Sequence, residues 1–269
     1  MKIHLPLLLA ALTLHAADES LIRTLDNQDL KVTALTALPD GSLEYSLPDS
    51  KIRTRIPQGR YLYAWIPKPA EVEQADHYLR NGSLAQAAAA YKLAYDKYKL
   101  LGWDLYCIAK ESEALAGLGE KTEAVRKLDQ LKNYKLLNMR LVPHLNEIKR
   151  LNARLCIELG KYDDAKPLLD EMAAGNDDSN AAFAFLQKGN ILRRKGNLKE
   201  ASLMYLQATL LFPDSGERPE ALYRLQAALT ELKDPNAVRF ANMLRKEYPD
   251  NPYTKRLATH KGNKKCALK

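Results

Sequence analysis

Residues 196–213 read GNLKEASLMYLQATLLFP: a glycine, then an apolar segment that stops at a proline. A glycine at a helix end takes the positive φ that stops the preceding helix. Pro213 cannot continue the helix that it closes. Between the two, Ala201, Tyr205 and Ala208 stand five, nine and twelve residues after Gly196. Residues four apart share a helix face, so the small Ala201 and the Tyr205 ring lie side by side. The spacing recurs. Gly82 is followed by Ala87, Tyr91 and Ala94, Gly119 by Ala124, Leu128 and Leu131, and Gly160 by Ala165, Leu169 and Met172. A fifth copy puts Leu232 at the turn and keeps Ala237, Ala241 and Leu244. The five alanines are 37, 41, 36 and 36 residues apart.

The pattern extends upstream of each turn. Seven and four residues before it stand Ala75 and Tyr78, Ser112 and Leu115, Ala153 and Cys156, Gly189 and Leu192, and Leu225 and Ala228. Each unit is therefore a helix, a turn and a second helix. Two antiparallel helices joined by a short turn approach closely only where one presents Ala or Gly. Ala87, Ala124, Ala165, Ala201 and Ala237 are the expected contact points, with the larger residue four later filling the space beside them.

This arrangement resembles the tetratricopeptide repeat (TPR), a unit of about 34 residues with a small–large pair in its first helix and an alanine four before an aromatic in its second. The unit at about 182–215 carries the resemblance best, through Gly189, Leu192, Gly196, Leu198, Ala201, Tyr205, Ala208 and Pro213. Units two and three lack the closing proline and unit five lacks the turn glycine. The predicted fold class is mainly α: an α-solenoid of about five TPR-like hairpins over 68–253, preceded by a small β-barrel-like domain.

That front domain is read at 20–67. LKVTALTA, SLEYSL, KIRTRI and RYLYAWI alternate with the period of half-buried strands. Pro39-Asp40-Gly41 and Pro48-Asp49-Ser50 are turns between them. With Leu21–Leu25 this predicts four or five strands, enough for a small closed sheet and too few for a sandwich. The order is similar to the SH3-like or Sm-like barrels that precede such repeats in exported bacterial proteins. Pro67-Lys68-Pro69 reads as a stiff hinge into the first helix.

The first residues, MKIHLPLLLAALTLHA, have the charge, apolar core and small-residue order of a signal peptide, with cleavage expected after Ala16 or Ala17. The apolar run is too short to span a bilayer, and no later segment is apolar enough to do so. A soluble periplasmic or cell-envelope protein is expected. Formal charge is +8, and Lys255, Arg256, Lys261, Lys264, Lys265 and Lys269 place six of those charges in the tail 254–269. The body is thus nearly neutral, and the basic balance belongs to a solvated tail. Of three cysteines, Cys107 and Cys156 fall in helical segments and Cys266 in the tail. Either the first two are buried separately or an exported chain bridges them, subject to strict disulfide geometry.

No catalytic constellation is legible. There is no His-Glu-x-x-His, no Cys/His cluster, no phosphate loop and no nucleophile elbow. Asp163-Asp164 and Asp177-Asp178 sit where helix starts are expected and favour the N-terminal dipole. The chain is accordingly read as no enzyme, with no cofactor and no metal. The TPR resemblance implies a groove lined by the first helices, with Asp76, Glu113, Arg150, Arg154, Asn190, Arg193 and Arg194 at groove positions. Arg150 and Arg154 are four apart on one face, a like-charge pair that calls for a nearby anion. With Arg193 and Arg194 they suggest a positive centre for a carboxylate. Gln187 and Tyr223 depart from the family's complete carboxylate clamp. Tyr91, Tyr95 and Tyr98 form a stripe of core spacing. The leading expectation is an exported adaptor that binds a protein or peptide. The alternative is a binder of nucleic acid or another anionic polymer, through the front domain's KIRTR strand and the basic tail.

Overall fold

The computed structural model describes residues 19–131 and 134–257. The expected signal peptide and residues 258–269 of the basic tail lie outside the described residues. The chain is mainly α, with small antiparallel sheets ahead of a TPR-like helical repeat. It packs as two compact units. Among the described residues, one comprises 19–114 together with Tyr134–Val142, and the other 115–131 and 143–257.

In the first unit six strands form where four or five were expected: β1 (Leu21–Thr24), β2 (Asp29–Lys31), β3 (Thr33–Ala37), β4 (Leu43–Ser46), β5 (Thr54–Ile56) and β6 (Tyr61–Trp65). They run as two three-stranded antiparallel sheets, in the orders β2-β1-β6 and β3-β4-β5. The extra strand arises because LKVTALTA breaks at Val32, which is buried and bonds its N–H to Ser20. Its two halves join different sheets.

Strands this short cannot enclose a core alone. Ile22, Leu43 and Ala64 share one with Val72 of α1 (Ala70–Arg80), Ala94 and Tyr98 of α2 (Leu84–Tyr98), and Cys107 of α3 (Asp104–Gly117). The division expected near residue 68 therefore falls inside one packed unit. The proline-flanked segment there is fastened. The Lys68 ammonium bonds Asp76 and, at 2.8 Å, Glu73, while Trp103 Nε1 donates to Ile66 O at 3.1 Å. Cys107 and Cys156 are buried as separate thiols, and the Cys156 thiol donates to Asn152 Oδ1 at 3.3 Å. Burial pushes the Cys107 thiol up to about 12.

The second unit contains α4 (Lys121–Asp129), nearly all of α5 (Val142–Glu158), α6 (Tyr162–Ala174), α7 (Asp178–Arg194), α8 (Leu198–Leu210), α9 (Arg218–Glu231) and α10 (Ala237–Glu247). From α6 to α10 each helix packs on the next in sequence.

The turns explain why the hairpins form. Gly82, Gly119, Gly160 and Gly196 all have positive φ. In each case the next N–H reaches back five residues to a helix carbonyl, as in Asn197 N–H to Leu192 O at 2.9 Å. The fifth turn makes the same bond from Asp234 to Leu229 at 2.8 Å, but its left-handed residue is Lys233, φ 59°, rather than the expected Leu232. Ala87, Ala124, Ala165 and Ala201 are fully buried and Ala237 nearly so. Gly189 lies against the Tyr205 ring so closely that a Cβ there would stand 2.5 Å from Cε1.

Candidate functional site

Helices α5, α7 and α9, the first helices of three successive hairpins, line an open cleft of about 530 Å³ within the second unit. Arg154 and Glu158 come from α5, Gln187, Asn190, Arg193 and Arg194 from α7, and Glu220 and Arg224 from α9. Four guanidinium groups against two carboxylates give the lining a positive balance.

Most of these side chains are held in place. Arg193 pairs with Glu231 at 2.5 Å, and Arg194 donates to Ile157 O at 2.5 Å. Arg224 bonds Glu220 at 3.0 Å, and Glu220 also accepts from the Tyr253 hydroxyl at 2.6 Å. Glu158 pairs with Lys121 at 2.8 Å. The Asn190 amide is fixed from both ends: its Oδ1 accepts from Tyr205 Oη at 2.9 Å, and its Nδ2 donates to Gln187 at 3.1 Å. Burial raises the Tyr205 hydroxyl to about 12, so it stays a donor at neutral pH.

Arg154 differs from the rest. It is exposed, its guanidinium lies 5.9 Å from the Phe183 ring, and it makes no hydrogen bond or ion pair among the described residues. An uncommitted guanidinium beside a fixed amide is a ready receptor for a carboxylate, which accepts two parallel N–H bonds.

Of the sequence-predicted groove residues, Arg154, Asn190, Arg193 and Arg194 meet at this cleft. Arg150 does not line it. Its guanidinium donates to Asn180 Oδ1 and Ser179 Oγ, each at 2.7 Å, and reaches Glu217 at 3.4 Å. It also lies 5.2 Å from the Phe183 ring. Arg150 thus ties α5 to α7 and α9. Burial raises the Glu217 carboxyl above its ordinary range, against the opposing pull of Arg150.

In the first unit Asp76 is buried, accepting from Tyr91 Oη at 2.5 Å and Tyr106 Oη at 2.8 Å as well as from Lys68. Glu113 pairs with Lys110 at 2.9 Å. Tyr91 and Tyr98 are core residues. The basic KIRTR strand is largely neutralised: Arg53 faces Glu44 at 3.6 Å, and Arg55 bonds Asp40 and Ser42.

Sequence reading missed Glu220 and Arg224. They are legible as an i, i+4 pair on α9, but the absent turn glycine of unit five obscures that helix's register. Asp163 and Asp164 lie in the first turn of α6, and Asp177 caps α7 through Asn180 N–H at 2.9 Å.

No protein-family model matches the chain, and no curated protein matches it. Solved structures do. The apo form of RapI superposes with a TM-score of 0.59 at 14% identity, covering 70% of this chain. The fold is that of TPR-like repeats. A tetratricopeptide repeat protein from Parabacteroides merdae ATCC 43184 superposes with a TM-score of 0.50 at 17% identity, covering 74% of this chain and 75% of its own. A Rap protein complexed with Competence and Sporulation Factor gives 0.54 at 16% identity. This chain spans 56% of the length of RapI and of that Rap protein. Among the described residues no helix is long and apolar enough to cross a membrane.

Proposed function

We propose that this chain is a non-enzymatic adaptor, exported to the cell envelope, whose α5–α7–α9 cleft receives an extended peptide through a carboxylate. The observation that carries the reading is Arg154, uncommitted on the wall of a positively balanced cleft whose other polar groups are already fixed. Three consecutive first helices supply a track longer than one side chain, which suits a peptide better than a compact metabolite. The Rap structure with its bound factor shows that a protein of this fold can carry a second molecule. Export rests on the leader sequence.

The test places a photo-crosslinking residue at the cleft position Glu158 in cells and resolves the adducts by mass spectrometry. The expected adduct is a single protein or peptide enriched in the envelope fraction, lost on Arg154→Ala while the melting temperature holds. An adduct insensitive to Arg154→Ala, or none at all, overturns the assignment of the cleft.

A further inference from the structure

The second helices of the last three hairpins, α6, α8 and α10, differ in what they turn outward. The exposed positions of α6 include Asp163, Asp164, Lys166 and Glu171, and those of α10 set Arg239, Asn242 and Lys246 around a single Val238. On α8 the outward face carries Leu203 and Leu210, 56% and 53% exposed, with Leu211 just past the helix at 60%. The inward face of the same helix is filled by Ala201, Tyr205 and Ala208, all fully buried. A helix that is apolar on both sides is normally covered on both sides. Single exposed leucines are ordinary, but a row of them marks a contact surface. The cleft does not use this face, because its lining comes from α5, α7 and α9.

The face has a symmetry that names its occupant. Leu203 and Leu210 lie two turns apart, roughly 10 Å along one side of the helix. Lys199 stands four residues before the first leucine, and Asp214 four after the second, in the turn beyond the helix end. Both are exposed, and neither side chain makes a hydrogen bond or ion pair among the described residues. Each also has the wrong sign for its own helix, whose N-terminal end favours an anion and whose C-terminal end favours a cation. A second α8 laid antiparallel removes that mismatch. The midpoint of Leu203 and Leu210 in the sequence is also the midpoint of Lys199 and Asp214. One two-fold axis therefore opposes leucine to leucine and lysine to aspartate together. Nearest the axis stand Leu206 and Gln207, both half-buried.

We propose that α8 pairs antiparallel with α8 of a second copy of this chain, Leu203 packing on the partner's Leu210 and Lys199 facing the partner's Asp214. The contact is one helix face per copy, small against the roughly 800 Å² per partner of a standard interface. The pair is accordingly weak, forming at about 10–100 μM. It does not depend on the cleft reading; where both hold, one dimer presents two clefts to a partner.

Sedimentation velocity on the full chain freed of its expected leader, over about 5–500 μM, reads the association. The expected result is a monomer–dimer equilibrium. Leu203→Glu with Leu210→Glu should leave only monomer at an unchanged melting temperature, since both side chains are already exposed. Charge reversal tests the axis. Lys199→Glu alone, or Asp214→Lys alone, sets like charges together at both ends of the pair and should weaken it about tenfold, and the two together should restore it. A chain still monomeric at the highest concentration overturns the proposal, whatever else covers the face. So does a dimer that survives the double Glu substitution, or a combined charge reversal that fails to rescue the single ones.

Discussion

Replacing Gly189 by Ala tests the packing that holds the cleft together. On an exposed helix this change would stabilise by about 1 kcal/mol, because Ala has the higher helix propensity. At this site the new methyl would stand 2.5 Å from Tyr205 Cε1 and 2.7 Å from Cδ1. Carbon atoms in contact prefer about 3.5–4.0 Å, so the ring must retreat by about 1 Å. It has nowhere to go. Tyr205 is fully buried among Leu186, Ala201 and Leu222, and its hydroxyl is anchored on Asn190. Overpacking costs about 1–3 kcal/mol, and a fully buried ring with an anchored hydroxyl puts this site at about 2–3, which outweighs the propensity gain. The expected net loss is about 1–2 kcal/mol, a fall of about 2–8 °C in melting temperature for a chain of this length. Urea and thermal melts followed by circular dichroism read it directly. In a Tyr205→Leu background the steric conflict disappears, and Gly189→Ala should become neutral or stabilising. A Gly189→Ala protein as stable as the parent, or a penalty that persists without the Tyr205 ring, would refute the close-approach argument.

Two further outcomes follow from single residues. Lys233 occupies the left-handed conformation that glycine takes in the other four turns, so Lys233→Gly should raise stability in urea melts by about 0.5–1 kcal/mol, and a loss of stability would place the fifth turn elsewhere. Burial works to raise the Asp76 carboxyl, but hydrogen bonds from Lys68, Tyr91 and Tyr106 win and hold it below its ordinary value. A depressed carboxyl contributes stability that is present above its unfolded value of about 3.9 and is lost as pH falls toward its folded value. Asp76→Asn should therefore lower stability at neutral pH and flatten the decline below about pH 4, and a variant with the parent's acid profile would remove Asp76 from that role.

The hairpins were legible because their causes are local. A positive-φ glycine and a small residue five later are read directly from the chain, and each appears in the structure with the same closing hydrogen bond. The fifth turn misled by one residue because Lys233, unlike glycine, leaves no sign that it will adopt that conformation. The front sheets were harder. Val32 sits in an unbroken alternating run, and only the pairing of Asp29–Lys31 with β1 and Thr33–Ala37 with β4 splits it in two. Nor does alternation show that such short strands must borrow Val72, Ala94 and Tyr98 to complete a core. At the cleft, the helix period located Arg154, Asn190, Arg193 and Arg194 on one side. It could not tell which of the arginines already had partners.

That last distinction depends on Phe183. Two arginines four apart on α5 repel unless something offsets their charge, and the sequence suggested a bound anion. The structure divides the task. Arg150 is matched from within, by Glu217, Asn180 and Ser179, and it shares the Phe183 ring with Arg154. A ring face attracts a cation without consuming its hydrogen-bond donors. Phe183 can therefore steady Arg154 while leaving its guanidinium N–H groups open to the cleft. Glu217 pairs with Arg150 at 3.4 Å and also attracts Arg154 through space, but one carboxylate offsets only part of the charge of two guanidinium groups. The like-charge pair is thus not a defect awaiting a ligand. One member fastens three helices, and the repulsion it leaves behind keeps the other available for an anion arriving from outside.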